Sequence, residues 1–285
     1  MRVNWIILSD PLDDPPHYGG PLVLHYIAKK LLELGDRVMM NHPFYDGVEE
    51  FDQKVLQKIN ISEWILVVSE NDFRLEMYSF KTVRLILYKP KDINRYKLDE
   101  LLFQYGKSFT LGSKIENSLS IKPIVLNLNF WKDLSLERSE LPIILIKKGF
   151  SNVNFETKKG RIIDDIVKMN SSREDIDFEL LKVFNKHKKF ITYDNETFFS
   201  MQAALCGIIS IVIPDGRLSE EEWRNANPSR KWGIAYGDTE EQINFALNTR
   251  DKLRDFLEEE VIRSEKEIEF FRNQVVLNFK NDQEI

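Results

Sequence analysis

The run Val3-Asn4-Trp5-Ile6-Ile7-Leu8 is apolar at all but one position and stops at Ser9-Asp10. A strand with one wet face alternates apolar and polar residues; a run without alternation suits a strand covered on both faces, as in a parallel sheet. A loop rich in Pro and Asp follows, closing with His17-Tyr18-Gly19-Gly20-Pro21. Leu22, Val23, Tyr26, Ile27, Leu31 and Leu34 then fall on one helical stripe, which Gly35 terminates. Asp36-Arg37-Val38-Met39-Met40 begins a second strand. The first 40 residues therefore spell strand, loop, helix, strand, the unit from which Rossmann-like sheets are built.

The same alternation continues. The pattern predicts a short helix over 51–59, strands over 64–69 and 83–88, a helix over 98–105, and strands over 108–111 and 123–128. The charged, aperiodic stretch 129–141 reads as a linker. A second cycle follows: a strand at 143–146, helices over 161–169 and 178–187, and a strand at 189–193. A helix over 196–206 capped by Gly207 comes next, then a strand at 208–213 and one or two charged helices from Glu240 to about Lys280. The expected fold class is α/β, two Rossmann-like domains with parallel sheets, spanning 1–135 and 136–260. Residues 261–285 are expected as a helix packing back on the first domain. A length of 285 residues suits two such domains.

Composition narrows the function classes. The net charge is -6, with Lys and Arg interleaved among Asp and Glu. A nucleic-acid binder concentrates cations, because neutralised phosphates supply most of its affinity, so no nucleic-acid partner is expected. One cysteine, Cys206, permits no intramolecular disulfide and fits a reducing compartment. The start is not that of a signal peptide, and no apolar run approaches the roughly 20 residues a membrane-spanning helix needs. A cytoplasmic protein is the expectation. Cys206 is alone and no His pair has ligand spacing, so no metal is expected either.

Three constellations could carry chemistry. The first is the turn Tyr193-Asp194-Asn195-Glu196-Thr197, between a strand and a helix. Ligands of open α/β sheets bind at the carboxyl ends of strands, and free N–H groups at a helix start favour a phosphate. Asn195 and Thr197 would add amide and hydroxyl donors. The plainer alternative is that Asp194 or Asn195 caps the helix. The second is Lys147-Lys148-Gly149 with Arg161 beyond it, cations after a strand that could neutralise a diphosphate or act as a solvated basic surface. Lys147 and Lys148 alternate faces on a strand, so at most one would face a ligand. The third is His17-Tyr18-Gly19-Gly20, where glycines let backbone approach a ligand or simply make a tight turn.

The segment Tyr193–Pro214 resembles the donor-site signature of GT-B-fold glycosyltransferases: a strand, a turn with Ser or Thr, a helix written Glu-Ala-x-x-x-Gly, and a strand ending in Pro. Here the helix reads Gln202-Ala203-Ala204-Leu205-Cys206-Gly207. Glu221-Glu222-Trp223 and Gly233-Ile234-Ala235-Tyr236-Gly237, with Ala246 and Thr249, resemble the bacterial surface-polysaccharide subset of that family. The likeness covers about 143–250 well and the first domain only in outline.

The resemblance implies a sugar transferred from a nucleotide-diphosphate donor, of UDP or GDP type, to a hydroxyl of a glycan or lipid-linked glycan. It implies no further cofactor, a first domain on the acceptor side, a second that binds the nucleotide sugar, and a cleft between the two sheets. Peripheral contact at the inner face of a membrane would follow from a lipid-linked acceptor. On the same footing, Gly19 and Gly20 would face the donor phosphate, and Lys147, Lys148 and Arg161 its diphosphate. Tyr193, Asn195, Glu196, Thr197 and Gln202 would line the donor site. Gln202 stands where the family carries the carboxylate that binds the donor ribose. An amide still bonds a hydroxyl but forfeits a charge-assisted bond about twice as strong. An inverting transferase needs a proton acceptor. Glu70, Asp72 and His17 are the leading candidates, with Asp10 and His42 behind them. Two other readings stand beside this one: a non-catalytic nucleotide-sugar-binding or assembly partner of the same fold, and a sugar-nucleotide epimerase.

Overall fold

In the computed structural model, the described residues are 2–10, 20–87, 90–105, 115, 117–145, 161–162, 173–195 and 197–281. They form two compact units, Met1–Val125 with Glu260–Ile285, and Leu126–Glu259.

The first unit is built on a seven-stranded, wholly parallel sheet among the described residues. Its strands are β1 (Asn4–Ile7), β2 (Arg37–Met40), β3 (Glu49–Glu50), β4 (Trp64–Ser69), β5 (Lys81–Ile86), β6 (Leu101–Tyr105) and β7 (Leu119–Ile121). Their order is β3-β2-β1-β4-β5-β6-β7. The chain builds outward from β1 on one side, then returns to lay β4 on the other, pairing Trp5 with both Val38 and Ile65. The direction of winding thus switches between β1 and β4, and the carboxyl ends there form the crevice in which such sheets take ligands.

The unbroken apolar runs have the cause expected of them, since both faces are buried. Trp5, Ile7, Val38, Met40, Ile65 and Val67 join one core cluster, while Ile6, Leu8, Met39, Leu66 and Val68 join another. Helix α1 (Gly20–Glu33) covers the first face with Val23, Leu24, Ile27, Ala28 and Leu31. The short helix α2 (Gln53–Leu56) lies after β3. Ile268, Phe271, Val275 and Phe279, spaced three or four apart, add a second helical stripe to the same face. Asp36, 1% exposed, ties that stripe to the sheet. It accepts from Val3 N–H (3.0 Å), Trp5 Nε1 (2.9 Å) and Arg272 Nε and Nη2 (2.6 and 2.8 Å).

The second unit holds β8 (Ile143–Leu145), β9 (Arg161–Ile162), β10 (Lys189–Thr192), β11 (Ile209–Val212) and β12 (Ile234–Tyr236). All pair in parallel among the described residues, in the order β12-β11-β10-β8-β9. This is the flavodoxin-like order, with its switch between β8 and β10. The helices are α3 (Arg173–Asn185), α4 (Phe199–Leu205), α5 (Glu220–Ala226) and α6 (Glu240–Asn281). Residues 240–259 of α6 belong to this unit and the remainder to the first. Gly207 closes α4 at φ +82°, and a Cβ there would lie 2.4 Å from the Asp133 carboxylate. Arg138 and Arg250 donate to the Gly207 carbonyl.

Several elements differ from expectation. Residues 98–105 were expected as a helix because Leu98, Leu101, Leu102 and Tyr105 match helical spacing. Leu101–Tyr105 is instead β6, registered on β5, and Leu98 is fully exposed. A short apolar run fits both periods, and pairing with a neighbouring strand decides. No strand forms over 123–128; the last strand of the first sheet is Leu119–Ile121. Arg161 opens a strand rather than a helix. The expected strand at 108–111, and 163–169 of the expected helix, lie outside the described residues. No helix among the described residues is long and apolar enough to cross a membrane.

Candidate functional site

Among the described residues, the carboxyl edge of the second sheet includes the turn after β10. Tyr193 keeps the ladder going, its N–H donating to the Leu145 carbonyl at 3.1 Å. The Asp194 N–H then donates back to Thr192 Oγ1 at 3.0 Å, which bends the chain. The Asn195 carbonyl accepts from Trp223 Nε1 at 3.0 Å, so an indole from α5 pins the turn. Thr197 Oγ1 accepts from the Phe199 N–H at 3.3 Å, a local turn that starts α4.

Behind this turn lie polar atoms with nothing to bond. Asn195, Ser200 and Gln202 are 9%, 2% and 1% exposed. Asn195 Oδ1, Ser200 Oγ and Gln202 Oε1 are buried and have no hydrogen-bond partner among the described residues. Leaving such a group unsatisfied costs about 1–3 kcal/mol, and most buried polar groups in folded proteins are paired. Each of these two amide oxygens and the hydroxyl is an acceptor that a hydroxyl could satisfy; Ser200 and Gln202, two residues apart on α4, face different sides of that helix.

The ends of β11 and β12 add to the edge among the described residues. Asp215 follows β11 and accepts from Arg217 Nε (2.5 Å) and the Arg217 N–H (3.0 Å). Burial pushes its carboxyl up, but the hydrogen bonds from Arg217 and from the Asn195 side chain outweigh this and hold it below the usual carboxylate range. Tyr236 ends β12, its ring stacked on Trp223 at 4.9 Å and its hydroxyl donating to the Leu218 carbonyl at 2.6 Å. Burial first, then Asp215, Glu220 and Glu222, raise the Tyr236 phenol above its ordinary value. The buried Arg230 guanidinium lies 5.3 Å from the Trp223 ring centre.

At the first sheet's carboxyl edge, Glu70 directly follows β4 and is 7% exposed. Its Oε2 accepts from the Leu87 N–H at 3.0 Å, and its carbonyl accepts from the Tyr96 hydroxyl at 3.0 Å. Asp72, two residues on, is held by Arg74 through contacts of 3.0, 3.1 and 2.5 Å. Arg84 underlies both: its Nη1 donates to the Ser69 and Asp72 carbonyls (2.9 and 3.0 Å). The same guanidinium pairs with Glu100 at 2.6 and 2.9 Å. It lies 4.7 Å from the Phe73 ring and 4.6 Å from the Tyr96 ring. Gly20 opens α1 beside Leu87, where a Cβ would come within 3.2 Å of Leu87 Cδ1. Asp10 lies three residues beyond β1, and its carbonyl is 3.3 Å from His25 Nε2.

The residues expected at the site thus divide by unit. Glu70 and Gly20 meet around Leu87 in the first, where Asp72 is engaged by Arg74; His42 is exposed after β2. In the second, Tyr193, Asn195, Thr197 and Gln202 share one turn and the helix it starts. The register sets Arg161 opposite Ile143, the first residue of β8, two residues short of the carboxyl end. His17, Gly19, Lys147, Lys148 and Glu196 lie outside the described residues. Among the described residues, no group of three or more His, Cys, Asp or Glu could hold a metal ion.

No protein-family model matches the chain, and no curated protein matches it in sequence. Among solved structures it is similar to a functionally uncharacterised protein from Klebsiella pneumoniae subsp. pneumoniae NTUH-K2044. The identity is 12%, the match covers 79% of this chain and 88% of that one, and the TM-score is 0.44.

Sequence reasoning missed Arg84, Glu100, Asp215 and Arg230. Arg84 and Glu100 are 16 residues apart and read as ordinary surface charges; only the pairing of β5 with β6 buries them together. Asp215 had a legible signal, since it follows Pro214 at the end of a strand. Trp223 and Tyr236 stood in the segments that carry the family resemblance, but nothing local announced that they stack.

Proposed function

We propose that this chain is a sugar-nucleotide-dependent glycosyltransferase of the GT-B class, acting in bacterial surface-polysaccharide synthesis. The observation that carries the reading is the set of unpartnered acceptors, Asn195 Oδ1, Ser200 Oγ and Gln202 Oε1, in the segment with the donor-site resemblance. A donor's ribose and sugar hydroxyls are the groups such acceptors lack. One of Lys147 and Lys148, after β8, would neutralise the diphosphate.

In the reaction, an acceptor hydroxyl oxygen bonds to the anomeric carbon of the donor sugar. The bond from that carbon to the diphosphate breaks, and the nucleoside diphosphate departs with the electron pair. A base takes the acceptor's proton. Glu70 suits that role better than Asp72. Its Oε2 is oriented by the Leu87 N–H while its other oxygen has no bond within the described structure, whereas both Asp72 oxygens face Arg74. His17 remains the alternative from the glycine loop.

The test is titration calorimetry with UDP- and GDP-sugars, followed by a transfer assay. Saturable binding is expected, weakened by Gln202→Ala and strengthened by Gln202→Glu, which restores the charged acceptor. Glu70→Gln is expected to bind donor normally and to lose transfer by at least about a hundredfold. Absence of binding by any UDP- or GDP-sugar would remove the reading. Binding without transfer would favour the second reading, a non-catalytic nucleotide-sugar binder, which the amide at Gln202 in place of a carboxylate also favours.

A further inference from the structure

The second unit carries another concave site, where α5 and the start of α6 meet the segment before β12. It is a groove open to solvent, with a volume of ≈ 560 Å³, lined by Glu220, Glu221, Arg224, Asn225, Lys231, Trp232 and Phe245. That volume falls within the range of about 300–1,000 Å³ typical of small-ligand pockets.

The base of the site is rigid. Arg224 donates to Glu220 (2.7 Å), to the Arg230 and Ile234 carbonyls (2.7 and 3.2 Å) and to Gln242 (3.0 Å). Its guanidinium also lies 4.2 Å from the Phe245 ring centre. Gly233 fixes the neighbouring Trp232. Its N–H donates to Thr249 Oγ1 at 2.9 Å, its φ is +70°, and a Cβ there would stand 2.8 Å from Leu253. This close approach to α6 sets Trp232 against Phe256, ring centres 5.7 Å apart, and leaves the indole half-buried. The other four tryptophans, Trp5, Trp64, Trp131 and Trp223, are buried to 3% exposure or less. The rim is uncommitted: Glu221, Asn225 and Lys231 are exposed, and among the described residues no hydrogen bond or ion pair engages their side chains.

We propose that this groove is a saccharide-binding subsite, separate from the carboxyl edge of the sheet. An aromatic wall and a ring of mixed donors and acceptors match the two faces of a neutral sugar. The sugar's C–H face, slightly positive, packs on the electron-rich indole and phenyl faces. Its hydroxyls take bonds from Asn225 and Lys231 and give them to Glu221 and Asn225. One free carboxylate and one free ammonium balance, so the site favours no ligand charge. The inference does not rest on the glycosyltransferase reading.

The test uses the full chain and four neutral trisaccharides: maltotriose, cellotriose, chitotriose and mannotriose. Because Trp232 is the solvent-reachable tryptophan, ligand binding should shield the intrinsic fluorescence from acrylamide. At least one trisaccharide is expected to bind saturably. Trp232→Ala and Glu221→Ala should each weaken it, the former by at least about tenfold, while Trp232→Phe retains most of it. Glu221 is exposed, so its variant stays informative if Trp232→Ala fails to fold. No saturable shielding by any of the four, or binding indifferent to Trp232→Ala and Glu221→Ala, overturns the proposal. So does a displayed peptide that shields Trp232 where no sugar does. UDP-sugar binding unchanged in Trp232→Ala distinguishes loss of this subsite from loss of the donor site.

Discussion

The loop after β4 and the turn after β10 occupy equivalent places, each at the carboxyl end of a strand beside its sheet's switch point, yet they treat polar groups in opposite ways. After β4 the polar atoms are engaged. Arg84 bonds Glu100 and two carbonyls, Glu70 takes the Leu87 N–H, Tyr96 takes the Glu70 carbonyl, and Arg74 takes Asp72. After β10 the backbone is pinned by Trp223, but Asn195 Oδ1, Ser200 Oγ and Gln202 Oε1 are left bare. A satisfied network rigidifies a loop; an unsatisfied one burdens the fold until something binds. On the function proposed above, the first edge serves as a platform and the second as a receptor.

The largest expected effect breaks the platform. Glu100→Ala leaves the Arg84 charge buried, and loss of one partner of such a pair costs about 3–5 kcal/mol. Urea unfolding monitored by circular dichroism should show it; a loss under about 1 kcal/mol would mean the network after β4 is ornamental.

The second expectation concerns the interior behind the receptor edge. Cys206 is fully buried at the end of α4, and that burial, more than the neighbouring Arg138 and Asp133 charges, pushes its thiol up to about 12 from 9.0. The folded protein should react with a thiol reagent at pH 8 roughly a thousandfold more slowly than the unfolded chain. Because the folded value is the higher one, the thiol's contribution to stability is complete below about pH 9 and is lost as pH rises toward 12. Rapid labelling in native buffer would show that this side of α4 opens.

A smaller effect sharpens the contrast itself. Gln202→Met removes an unsatisfied amide at nearly constant volume. Stability should stay within about 1 kcal/mol of the parent or rise, while affinity for a UDP- or GDP-sugar falls about tenfold. A stability loss of several kcal/mol would show that the amide is structural, and the receptor description would fail. The smallest effect is at the rim of the platform: Arg95→Ala breaks a pair with Glu76 that is half-exposed on both sides and should change stability by less than about 1 kcal/mol, in the same urea titration.

Much of the fold was legible because its strands are short, apolar and buried on both faces. Val3–Leu8, Trp64–Ser69 and Ile208–Ile213 carry their assignment in composition alone. Gly35 and Gly207 mark helix ends through the left-handed backbone they adopt, at φ +86° and +82°. The candidate turn after β10 was legible too, as a polar break between a strand and a helix. Residues 98–105 were not, because their spacing satisfies a helix as well as a strand.

What the sequence determined by itself is the alternation of buried strands and amphipathic helices, since apolar period and glycine conformation are local properties. Strand order, register and the pairing of distant charges are not. Only the tertiary structure decided that β4 returns beside β1 and β10 beside β8, that Arg84 meets Glu100, and that Trp223 holds Asn195. It also decided which polar atoms find partners and which do not. Satisfaction of a buried group depends on what else arrives within about 3 Å of it, and nothing local in the chain carries that information.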